Sequence, residues 1–130
     1  MRTAMPNRDT VKAFIALVER GQYVEAIEDY YTEDASMQEN MLPPRRGRQS
    51  LIEGERRVLA GVREIRTRPV ETYFVEGDRV VINWIFDFVL LDGSTFSQNE
   101  LALQRWAGDR IVEERFYYDP AQRQPKPAAT

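Results

Sequence analysis

With no histidine and no cysteine in its 130 residues, this chain leaves proton transfer near neutral pH to carboxylates, lysines or tyrosines. Four side chains stand where such chemistry would be held: Glu39, Glu100, Glu114 and Tyr118. Glu39 ends the run Tyr30–Asn40, in which helical segments give way to a short strand, so its carboxylate falls at the mouth of whatever that strand helps to build. Glu114 lies among aromatics, because strict alternation puts Val112, Glu114, Phe116 and Tyr118 on one strand face. Burial there disfavours the charged form and lifts a glutamate from its reference pKa of about 4.3 toward neutrality, where it can abstract or donate a proton. Glu100 is the third acid, and the polar Ser97-Gln98-Asn99 before it gives its strand a solvent-facing start. A one-residue slip would turn Glu114 outward too. If two of these carboxylates meet one substrate from unlike surroundings, their pKa values separate into a base and a neutral donor. Tyr118 carries an O–H that needs a partner if buried and can serve as a further donor.

The elements that must hold these groups follow from periodicity. Val11, Phe14, Ile15 and Val18 repeat at helical spacing, Asn7 caps the first turn, Asp9 complements the dipole, and Gly21 stops the helix. A second helix is expected over Tyr23–Tyr31 and a strand over Ala35–Glu39. Asn40–Arg46, with Pro43-Pro44, cannot continue a regular element; a third helix then covers Arg48–Gly61, begun by Gly47 or by a Ser50/Glu53 capping box. Leu51, Val58 and Val62 supply its apolar stripe. From Arg63 the period changes to two, predicting strands at Glu64–Glu76, Arg79–Leu91, Thr95–Trp106 and Arg110–Asp119, joined by Glu-Gly-Asp, Asp-Gly-Ser and Ala-Gly-Asp turns. Strands this long coil strongly, and helices gathered at the N-terminus can cover only the concave face, so the expected fold is an α+β cone. Phe14, Trp84, Phe86, Phe88 and Phe116 would line it, either as plain core or around a leftover cavity. The tail Ala121–Thr130, rich in proline, is expected to be loose.

Composition narrows the partners. The length suits one domain, with a core over about residues 7–119. The longest apolar run, Val80–Leu91, is broken by Asn83 and Asp87 and cannot span a bilayer, and Met1–Pro6 has no apolar stretch typical of a secretory leader, so a cytoplasmic protein is expected. A net charge of −3 supplies no basic field for nucleic acid. No metal constellation is visible and no cofactor is called for; a small apolar molecule or a protein partner remains. The Arg45-Arg46-Gly47-Arg48 cluster reads as a solvated loop or as a rim attracting an anionic substrate. Ile85, Val89, Leu101 and Leu103 would leave the outer sheet face partly apolar, which predicts a homodimer through that face.

The order helix, helix, strand, helix, four long strands resembles the nuclear-transport-factor-2-like superfamily, in its SnoaL-like and ketosteroid-isomerase-like branch. The resemblance rests on Gly21 before the second helix, Tyr31-Thr-Glu-Asp-Ala35, Gly47, Val81-x-x-Trp84 and the stretch Trp106–Asp119. It implies the cone fold and a pocket for a small hydrophobic molecule, with isomerase or cyclase chemistry on a polyketide-like or steroid-like carbonyl compound. A non-catalytic ligand-binding or structural homodimer of the same fold is the alternative. By the resemblance Glu39 falls where the isomerases hold their general base, and Phe14 where they hold an oxyanion-hole tyrosine. Their protonated aspartate falls near Ala102, two residues from Glu100. Without histidine the dehydratase branch is disfavoured, and inward-facing aspartates for an epoxide-hydrolase Asp-Arg-Asp set are lacking.

Overall fold

Asn7 caps the first helix: its side chain accepts a 3.1 Å hydrogen bond from the Thr10 N–H at the start of α1 (Arg8–Glu19), which buries Val11, Phe14, Ile15 and Val18. The computed structural model describes residues 5–128. Met1–Ala4 of the expected leaderless N-terminus and Ala129–Thr130 of the tail lie outside the described residues. Helix α2 (Tyr23–Tyr30) buries Tyr23, Ala26 and Ile27 and runs directly into β1 (Tyr31–Glu39), which therefore begins four residues before Ala35. Arg45–Arg46, expected outside any element, form the short strand β2 against Ser36 and Met37. Gly47, with φ of 96°, turns the chain into α3 (Arg48–Ala60); a side chain there would be strained, and the Ser50/Glu53 start is not used.

The remaining strands are β3 (Val62–Thr67), β4 (Tyr73–Glu76), β5 (Arg79–Leu90), β6 (Thr95–Ala107) and β7 (Arg110–Tyr117). The single strand expected over Glu64–Glu76 is broken at Arg68–Thr72, where Pro69 lacks the N–H a ladder needs; both halves still pair with β5. The seven strands form one mixed sheet in the order β2-β1-β7-β6-β5-β3, with β4 also on β5, and only β1 and β7 run parallel. The long strands coil around the three helices, giving the α+β cone. Fully buried Val11, Val80, Ile82, Trp106 and Ile111 belong to the core cluster between helices and sheet.

Two departures govern the site. Trp106 pairs with Ile111 but Arg105 pairs with Glu113, so Val112 is an extra residue on β7. That bulge reverses the alternation, and Ile111 rather than Val112 shares the inner face with Glu114 and Phe116. The C-terminal segment is also tied down. Asp119 caps one turn of 3₁₀ helix (Pro120–Arg123), Gln122 bonds the Asn99 backbone at 2.9 and 3.1 Å, and Lys126 exchanges two hydrogen bonds with Thr95. Through Lys126 it pairs with the first residue of β6, and Ala128 packs beside Gly93, instead of hanging free.

Candidate functional site

Between the helices and the wide end of the sheet lies a cavity of about 240 Å³. Its wall is aromatic: Phe14 comes from α1, Trp84, Phe86 and Phe88 from alternate positions of β5, and Phe116 from β7. Trp84 and Phe86 stack at 5.8 Å between centroids, and Phe14 meets Trp84 and Tyr31 edge to face at 6.2 and 6.1 Å. The helix α3 turns Leu51, Gly54, Glu55 and Val58 to the same space, at the spacing of one helical face.

Four carboxylates line this cavity, in three kinds of surroundings. Glu114 is at the deep end and 3 % exposed; Tyr31 O–H donates to its Oε1 and Gln104 Nε2 to its Oε2 at 2.6 Å, while Trp106 Nε1–H fixes Gln104 at 2.9 Å. Burial outweighs these neutral donors and pushes Glu114 up to about 7. Glu100, on the inner face of β6, has as its side-chain partner the Gln98 amide at 3.1 Å, and burial followed by the neighbouring Glu114 and Glu39 charges pushes it up to about 8. Glu55 on α3 is raised as well, by burial and by Glu39, against the nearby Arg45. Glu39 sits differently, at the mouth and 30 % exposed. It accepts the Tyr118 O–H at 2.8 Å and faces two cations, Arg123 at 3.4 Å and Arg45 at 3.8 Å.

All five expected wall aromatics thus line the cavity, and so do Glu39, Glu100 and Glu114. The polar start of β6 does not put Glu100 in solvent, because Gln98, Glu100, Ala102 and Gln104 alternate inward. Tyr118 is outside the lining: its hydroxyl donates to Glu39, and burial, with that bond and charge, drives its own pKa up to about 12. At Ala102 the inner face carries only a methyl group, on the same register row as Phe116 and Glu39. Reading the sequence missed Glu55, Arg123 and Tyr31. Glu55 was visible as one helical turn beyond Leu51, whereas Arg123 required knowing that the tail folds back. The hydroxyl missing at Phe14 has a neighbour in Tyr31, but that O–H is held by Glu114.

The chain belongs to the SnoaL-like domain family, whose model matches residues 11–114. No curated protein matches its sequence. Among solved structures it is similar to a Mesorhizobium loti protein provisionally named a SnoaL-like polyketide cyclase, at 25% identity over 85% of this chain and 97% of that one, with a TM-score of 0.72. A Catenulispora acidiphila protein with a ketosteroid-isomerase-like fold, solved with trimethylamine, matches at 18% identity over 87% of each chain with a TM-score of 0.73. An LEH-like epoxide hydrolase of M. tuberculosis matches at 13% identity over 88% of this chain and 83% of that one, TM-score 0.69. The last two likenesses are of fold alone. Among the described residues no helix is long and apolar enough to cross a membrane.

Proposed function

We propose that the cavity binds a small hydrophobic carbonyl compound and catalyses proton transfer on it, as an isomerase or cyclase would. The observation that carries this reading is the contrast between two acids on one aromatic cavity: Glu39, solvated and facing cations, and Glu100, buried with an amide for a partner. In this reading the Glu39 carboxylate takes a proton from the carbon next to the carbonyl. The electron pair of that C–H bond moves to the carbonyl oxygen, which receives a hydrogen bond from protonated Glu100 as its charge develops. In an unsaturated ketone whose C=C extends the enolate to a dienolate, Glu39 returns the proton at the far carbon, which is isomerisation; otherwise the enolate carbon attacks a second carbonyl of the same molecule and the alkoxide formed there takes the proton back from Glu39, which is cyclisation. Glu114, with both oxygens already bonded within the protein, keeps the deep end polar and is a second donor when protonated. Tyr118 positions Glu39. Support from relatives is at the level of class: the Mesorhizobium loti protein of the same fold carries a polyketide cyclase name.

The test needs no product to be known. A panel of cyclic enones and aryl ketones is first screened by thermal shift, and the binders are then incubated with protein in D₂O while NMR follows loss of the protons next to the carbonyl. Exchange is expected with the wild-type protein and should slow by about 10²–10⁴ in Glu39→Gln. Binding without any protein-dependent exchange would turn the reading to the non-catalytic alternative.

A further inference from the structure

Two arginines far apart in sequence reach the cavity mouth, Arg45 from β2 and Arg123 from the turn after β7. Neither takes part in the proton transfer proposed above. Both approach Glu39, Arg123 Nη2 at 3.4 Å from Oε1 and Arg45 Nη2 at 3.8 Å from Oε2, well beyond the roughly 2.7–2.9 Å of a charge-assisted hydrogen bond. A guanidinium has five N–H donors, so neither is saturated by these contacts, and each side chain is close to half exposed. Both are nevertheless held in place. Arg123 Nε–H donates to Gln98 at 2.7 Å and its guanidinium lies 5.0 Å over the Tyr118 ring. Arg45 occupies the space beside Gly54, where a Cβ would stand 3.2 Å from Nη1; a glycine inside a helix costs about 0.5–1 kcal/mol relative to alanine, and here it leaves room for the guanidinium.

We propose that Arg45 and Arg123 are an anion clamp, and that the ligand of the cavity is a ring-bearing carboxylate, its apolar ring against the aromatic wall and its carboxylate at the mouth between the two guanidiniums. Planar carboxylates suit the two-pronged donor geometry of arginine better than that of any other cation. Glu39 offsets one of the two positive charges, and burial holds Glu55, Glu100 and Glu114 toward the neutral form, so the arginine pair keeps a net positive charge at the mouth. The inference rests on the preceding reading only in taking the cavity as the ligand site, and for a carbonyl substrate it narrows the class to keto acids.

Isothermal titration of the full chain with 2-naphthoate and with its neutral isostere 2-acetonaphthone tests it. Naphthoate should bind at least about tenfold more tightly, and Arg45→Gln and Arg123→Gln should each weaken naphthoate about tenfold while leaving acetonaphthone nearly unchanged. Arg45→Lys and Arg123→Lys, which keep the charge, should retain part of the preference. Equal binding of the two ligands, or variants that weaken both alike, overturns the clamp and leaves the apolar cavity standing. If neither ligand binds the wild-type protein, the clamp and the cavity reading fall together.

Discussion

Glu100 and Glu114 make the folded protein a tighter binder of protons than the unfolded chain, in which the same carboxyls titrate near 4.5. Below that value both states hold the protons and burial carries no ionic penalty. As pH rises, the unfolded state ionises first, so stability falls until the folded carboxyls ionise in turn near 7 and 8. The melting temperature should therefore drop between about pH 5 and 8, and Glu100→Gln should flatten that drop by an amount of order a few kcal/mol, since each pKa unit is about 1.4 kcal/mol. A wild-type curve that rises across this interval would contradict the burial of these two acids. At this scale Glu39, Glu100 and Glu114 were legible because an acid set among apolar alternation is conspicuous. Their pairing was not: the partners Tyr31, Gln104 and Gln98 are ordinary polar residues until the fold brings them to the acids.

At the scale of elements the helices and the hairpins were read with small errors, because caps, glycine turns and period-two alternation are local signals. The failures were non-local. Pro69 splits one expected strand in two, yet both halves stay on β5, which no propensity could announce. The bulge at Val112 depends on how β7 meets β6 and β1 together, and it decides the inner-face set: Ile111 joins Glu114 and Phe116, while Val112 drops out. The tail looked loose because its prolines exclude regular structure. Its order comes from side chains, Asp119 capping, Gln122 on the Asn99 backbone, and Arg123 stacked on Tyr118. The mouth of the cavity is consequently built by three segments, the end of β1, the β2 strand and the post-β7 turn; the sequence marks the first as a site and the second as either a solvated loop or an anion-attracting rim, and gives no sign of the third.

For the whole molecule, the outer face of the cone bears on assembly. Phe74, Val81 and Leu103 share one register row across β4, β5 and β6, and Leu101 and Tyr117 share the next; Phe74, Leu101, Leu103 and Tyr117 are all exposed. A contiguous apolar row of this kind supports our proposal that two copies pair through their sheets. Light scattering coupled to size exclusion should give a dimer mass, and Leu101→Lys with Leu103→Lys should halve it; a wild-type monomer would refute the pairing. Within one copy, the proposed chemistry requires one cavity to hold a buried glutamate kept as a neutral donor opposite a half-buried carboxylate base, Glu39. It is tested most directly by NMR titration of side-chain carboxyl carbons in protein labelled at glutamate, with signals assigned through Glu100→Gln and Glu39→Gln. A carboxyl signal that titrates near pH 8 and is lost in Glu100→Gln is expected. A Glu100 signal that titrates in the ordinary carboxylate range, near 4 to 5, would contradict it.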